Sequence, residues 1–305
     1  MRIKIKTYIT LIKKVGNAFL LDNATKLSAS LAYYTIFAIG PLLLVVISLA
    51  GIFYNPSAIT SEIHISIAHL IGEQGALTLE QLMTHISQNQ NKKFFGIIGT
   101  VVLAFVATGI FVEIQSSINY IWSIRAKPKK SWLKFITDRL LSFSLLVGLG
   151  FLLIVSLLIN TLMDSLTLRL EDFLGSANFI LAKTFSVLFL FGIISFMFAV
   201  IYKVLPDARI SWKDSWIGAS FTTGLFLIGR YGIGYYLTRF NFDAYGAAAS
   251  VILILAWVYY SAMILYLGAE FTKIYAQDKG QGIIPYKTAV LIVKHEVKNL
   301  NKFHV

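Results

Sequence analysis

GAAASVILILAWVYYSAMILYLGAEFT, residues 246–272, is the stretch on which the fold turns. It carries no charge before Glu270 and exceeds the roughly 18–20 residues a helix needs to cross a bilayer, so it reads as a membrane span. Its small-residue start, Gly246 to Ser250, suits close approach of another helix, because packing in lipid relies on backbone proximity. Glu270 near its end either reaches the headgroup region or faces a hydrated, protein-lined interior.

The whole chain shares this character. Of its 305 residues 57% are hydrophobic and 14% charged, with a mean hydropathy of +0.72, far from the balance of a soluble domain. There is no cysteine, which excludes disulfides, thiol nucleophiles, thiolate zinc sites and iron–sulfur clusters. The basic start lacks a compact apolar core followed by a small-residue cleavage site, so no cleaved signal peptide is expected.

Working outward, further spans read at about 31–53, 94–121, 140–163, 179–205 and 215–238, giving an all-α polytopic membrane protein with six transmembrane helices. Interfacial and outer amphipathic helices complete it. Residues 1–30 place Ile5, Ile9, Ile12, Phe19 and Leu20 among lysines, as a basic amphipathic segment at the cytoplasmic surface does. Residues 54–93 carry two apolar stripes separated by Gly72 and Gly75, two short helices on the outer face. Residues 1–277 thus form one domain, and 278–305 a basic cytoplasmic tail.

Charge gives the orientation. Most of the 27 Lys and Arg fall before the first span, at 122–139, around 203–213 and after residue 272, whereas the outer segments hold only Lys92, Lys93, Arg169 and Arg239. Positive charge stays inside, so both termini are expected in the cytoplasm. The net charge of +12 is therefore explained by topology, and no nucleic-acid partner is expected.

Several residues stand out against this background. Pro41 removes a backbone donor in the first span and should kink or interrupt it, as a hinge or as a plain packing feature. Glu113 lies roughly 12 Å from the inner end of the second span, too deep for a short acidic side chain to reach the headgroups. It shares a helical side with Ser117 and Tyr120, which points that face into the bundle. Arg230 lies roughly 22 Å from the inner end of the fifth span, among Gly224, Gly229, Gly232 and Gly234. It either finds buried partners or snorkels to the outer headgroups. Glu270 falls near the cytoplasmic interface, able to meet Lys273 one turn on, so Glu113 and Arg230 are the costlier charges. Arg125, Lys127, Lys129, Lys130 and Trp132 form a basic, aromatic cluster suited to anionic lipid headgroups. His64, His69 and His85 have neither the spacing nor the acidic neighbours of a metal site; neither metal nor cofactor is expected.

Four pieces, taken together and in order, resemble the YihY/BrkB family of bacterial inner-membrane proteins: LSASLAYYTIFAIGPLL at 27–43, INYIWSI at 118–124, YKVLPDARISWKDSWIGA at 202–219 and FDAYGAAASVILILAWVYYSAMILYLGAEF at 242–271. The likeness covers roughly residues 10–277. It implies a six-helix inner-membrane protein of envelope integrity, for some members linked to serum resistance, without a settled activity. An old ribonuclease BN label on the family finds no support here, since no H-x-H-x-D-H motif is present. The intramembrane charges favour a transporter or lipid translocator, with Pro41, Glu113, Ser117, Tyr120, Arg230 and Glu270 as pathway candidates. A scaffold that binds an envelope partner, or a second copy of the chain, is the alternative. No enzyme is expected, because no nucleophile–base pair or metal cluster appears at usable spacing.

Overall fold

The computed structural model describes residues 2–53, 105–106, 108–127, 132–145, 148, 184, 187–239 and 249–293. Helices dominate: α1 Arg2–Leu21, α2 Ala24–Phe53, α3 Gly109–Ile121, α4 over 132–145, α5 Val187–Val204, α6 Trp212–Arg239 and α7 Ala249–Asp278. Four short strands join them, β1 Ile124–Ala126, β2 Ala208–Arg209, β3 Ile284–Pro285 and β4 Ala289–Leu291. Among the described residues, Val187–Val204 and Ile254–Asp278 are long and apolar enough to cross a membrane. Both lie on spans expected from the sequence.

The helix ends follow local chemistry. Between α1 and α2 the chain turns at Asn23, whose φ of 51° is left-handed, a conformation asparagine tolerates better than most residues. Helix α6 opens on Ser211, whose hydroxyl accepts from the Asp214 N–H at 3.0 Å, satisfying one of the orphan donors of the first turn. Helix α7 ends as the N–H groups of Gly280 and Gly282 bond the Ala276 carbonyl; Gly282 has φ +77°. Helix α2 runs continuously through Pro41. Of the two expectations for Pro41, a kink or an interruption, the interruption is absent: a proline removes one donor, which a membrane helix tolerates.

Helix α7 is the hub, packing against α1, α2, α3 and α6. Its contact with α6 is built on a local repeat. GASFT at 218–222 in α6 and GAEFT at 268–272 in α7 lie antiparallel, each threonine over the other's glycine. A Cβ on Gly218 would meet Thr272 Oγ1 at 1.9 Å, and one on Gly268 would meet Thr222 Oγ1 at 1.9 Å and the Tyr202 hydroxyl at 2.4 Å. The threonine hydroxyls turn back to the carbonyls four residues earlier, Thr222 to Gly218 at 2.8 Å and Thr272 to Gly268 at 2.6 Å. Phe221 and Phe271 stack with centroids 4.0 Å apart. Small residues thus set the helix separation, as in lipid-embedded crossings.

The chain beyond Asp278 departs from the basic tail read in the sequence. Strand β3 pairs antiparallel with β2, and β4 with β1, so residues 284–291 are stitched to the ends of α3 and α5. Ser123 makes the turn into β1 in a left-handed conformation (φ 57°), and its carbonyl accepts from Ile292 at 2.7 Å. The outer segment 54–93, with His64, His69 and His85, lies outside the described residues.

Candidate functional site

Two polar clusters sit where α7 meets α3 and where the ribbons close the basic end. In the first, Glu270 is fully buried. Lys273 Nζ lies 3.6 Å from Glu270 Oε2 and 3.6 Å from Asp22 Oδ2, and donates to the Ile121 carbonyl at 2.5 Å. Trp122, also buried, donates from its indole nitrogen to the Ala269 carbonyl at 3.1 Å. One turn earlier on α7 Tyr266 is buried, and neither its hydroxyl nor that of Ser117 on α3 has a hydrogen-bond partner among the described residues. The helices α3 and α7 thus meet at Ile121 and Trp122 on one side and Ala269 and Lys273 on the other.

This arrangement changes the reading of several residues. Glu270 meets Lys273, and does so from a fully buried position. Tyr120 is 45% exposed; the buried stripe of α3 runs through Ile114, Ile118 and Ile121, and Tyr120 lies about 200° around the helix from Ile118. Arg230 is exposed and so does not join the cluster of Glu113. It lies two turns beyond Thr223, the residue at which Ser195 of α5 meets α6 through a 3.0 Å hydrogen bond. The glycine beside it serves another contact, since a Cβ on Gly229 would overlap the Tyr260 hydroxyl.

The second cluster surrounds Lys134. Its ammonium bonds Asp138 at 2.8 Å and pairs with Asp207. Asp207 is locked in turn by Asn119, whose amide donates to Asp207 Oδ2 at 2.9 Å while its carbonyl oxygen accepts from the Asp207 N–H at 2.9 Å. Burial pulls the Lys134 ammonium down, but the hydrogen bonds and charges of the two carboxylates outweigh it and hold the lysine above its ordinary value. Beside the cluster opens a cavity of about 720 Å³, within the range of small-molecule sites. Gln115, Lys127, Asp207 and Lys287 line it with Lys134 and Asp138. The ribbons build its wall: the Lys127 N–H donates to Thr288 O at 2.7 Å and the Tyr286 N–H to Asp207 O at 3.1 Å.

Of the expected headgroup residues, Lys127 lines this cavity, Arg125 is exposed on β1 and Trp132 is 61% exposed at the start of α4; Lys129 and Lys130 lie outside the described residues. Asn119, Lys134 and Asp207 are not among the expected site residues, and with Asn119 and Asp207 88 positions apart no local pattern pairs them. Among the described residues no three His, Cys, Asp or Glu side chains gather to hold a metal ion.

The family model described as "Virulence factor BrkB" matches residues 15–287, most of the chain. The chain belongs to the BrkB family. It is 27% identical to a UPF0761 membrane protein of Tolumonas auensis over 82% of this chain and 80% of that one. To its counterpart from Aeromonas salmonicida it is 26% identical, over 85% and 86% of the two chains. A longer UPF0761 membrane protein from Azotobacter vinelandii is 28% identical over 83% of this chain and 60% of its own length. No solved structure matches. As a BrkB-family chain with this hydropathy, it is a membrane protein, and both polar clusters are built on the stretches that the family match spans.

Proposed function

We propose that this BrkB-family protein is a six-crossing inner-membrane protein of envelope integrity that transports a solute or translocates a lipid, and that it is not an enzyme. Membrane lipids are its partners, nucleic acid is not, and both termini lie in the cytoplasm. The orientation is supported by the basic end itself: α1, the β1 segment, the 206–211 turn and the chain after α7 meet there through the two ribbons and the Lys14–Asp278 and Lys273–Asp22 pairs. In a membrane protein, gathered lysines and arginines mark the cytoplasmic side.

The observation that carries the transport reading is the polar seam between α3 and α7. Glu270 is wholly buried on a helix apolar enough to cross a membrane, in line with Tyr266, Ser117 and Glu113. Ionisable groups at such positions are expensive and mark pathways for substrates, ions or protons. Helix α2, continuous through Pro41, offers no broken-helix hinge in support.

The test is reconstitution of the full chain into liposomes containing headgroup-labelled phospholipids, with translocation between leaflets read by chemical quenching. Wild-type protein should exceed protein-free liposomes, and Glu270→Gln and Glu113→Gln should each slow it. Wild-type protein no faster than empty liposomes, with labelled lipids and with small anions alike, would sink the transport reading in favour of a scaffold that binds an envelope protein or a second copy.

A further inference from the structure

The 720 Å³ cavity at the basic end has charges that the Lys134 cluster leaves unused. Asp138 and Asp207 are committed to Lys134, and Asp207 to Asn119 as well. Lys127 and Lys287 also line the cavity, and neither ammonium has a carboxylate partner among the described residues. At the buried side stands Gln115, 5% exposed, its amide lining the cavity. An amide offers both donors and an acceptor to whatever occupies the space it faces. The remaining wall includes Leu141 and Val204, on helices α4 and α5.

We infer that this cavity binds a phosphodiester, its anionic oxygens held by Lys127 and Lys287 and a neutral hydroxyl-bearing end met by Gln115. The charge balance selects a monoanion. Lys134 with two aspartates leaves one negative charge in excess, which disfavours a phosphomonoester dianion, whereas two unpaired ammonium groups still outweigh it for a diester. A glycerophosphate headgroup has this chemistry, as part of a phospholipid or as a free soluble diester; the apolar wall suits an adjoining acyl chain. The inference deepens the transport reading by naming a ligand class, and it rests on that reading only for its biological use.

Binding to the full-length protein in non-ionic detergent, read by native mass spectrometry, tests it with three probes: phosphatidylglycerol, phosphatidylcholine and soluble glycerophosphoglycerol. Phosphatidylglycerol should bind in preference to phosphatidylcholine. Lys127→Gln with Lys287→Gln should weaken it about tenfold or more, as expected for two charge-assisted hydrogen bonds. Lys13→Gln, at an exposed lysine of α1, should leave it unchanged. Lys287→Gln alone, on an exposed turn, should give the same ranking at smaller size if the double variant melts early. Competition by glycerophosphoglycerol identifies a headgroup site open to soluble diesters; binding of phosphatidylglycerol without such competition assigns the apolar wall to an acyl chain. Equal binding of the two lipids, or an equal loss on Lys13→Gln, overturns the inference. Binding here without movement of either lipids or small anions would refute transport and leave the site standing; transport without this binding would do the reverse.

Discussion

The α6/α7 crossing and the ribboned basic end hold together by opposite means. At the crossing, cohesion comes from what is missing: Gly218 and Gly268 have no Cβ, and the opposing threonine hydroxyls and the Tyr202 hydroxyl occupy that space. At the basic end it comes from what is added, a lysine between two aspartates and an asparagine clasping one of them. Lipid supplies no hydrophobic drive between helices, so the first region depends on shape. The second borders a cavity, where charged partners are hydrogen-bonded and still partly accessible. Shape should fail abruptly on substitution and charge gradually, with pH as a further lever.

The largest effect is expected at the crossing. Gly268→Ile places a branched side chain into Thr222 and Tyr202 and should destabilise the protein by about 3 kcal/mol, the upper range for overpacking, read as a drop in the detergent melting temperature. An unchanged melting temperature would mean that the two helices do not approach this closely. Next comes Asn119→Ala, which strips the Asp207 N–H and a carboxylate oxygen of partners and should cost about 2 kcal/mol. Asn119→Asp, which restores the acceptor but places a second carboxylate against Asp207, should not rescue it.

A smaller, pH-dependent effect belongs to Lys134. Its ammonium is held above the ordinary 10.5 by Asp138 and Asp207, so its contribution is complete below pH 10.5 and is lost as pH rises through the higher folded value. The difference in stability between wild type and Lys134→Met should therefore stay level from pH 7 to 10 and shrink only in stronger alkali. A difference that faded already between pH 7 and 9 would mean the carboxylates do not hold the proton. The smallest change should come from Lys14→Ala, which breaks the exposed 2.7 Å pair with Asp278; such surface pairs contribute about 0.5 kcal/mol or less.

The two regions were also unequally legible. Residues 246–272 announced the hub by length and hydropathy, and the Glu270–Lys273 spacing announced one of its ion pairs. The GASFT and GAEFT pentapeptides were visible too, but five residues are too short to stand out as a repeat until the structure lays one against the other. The basic end was legible as charge and not as architecture. Strands of two or three residues carry no periodicity, and the Asn119–Asp207 clasp depends on the ends of α3 and α5 meeting in space. Tyr120 and Arg230 were singled out as though every polar group in a span faced inward; Tyr120 lies off the buried stripe of α3, and Arg230 lies beyond the Ser195–Thr223 contact on the exposed surface of α6. Ser117 lies on the buried side of α3, and Glu113 is half-buried.

The absence of cysteine from the natural sequence permits the most direct test of whether the α3/α7 seam is a pathway or a static core. Single cysteines at Ser117, 2% exposed against Tyr266, and at Ile118, fully buried in the neighbouring apolar stripe, can be compared for reaction with a small water-soluble methanethiosulfonate reagent in native membranes. A pathway that opens to water predicts that the cysteine at 117 reacts well ahead of the one at 118, and that phosphatidylglycerol changes its rate. Equal, negligible reaction at both positions in folded protein would contradict the account.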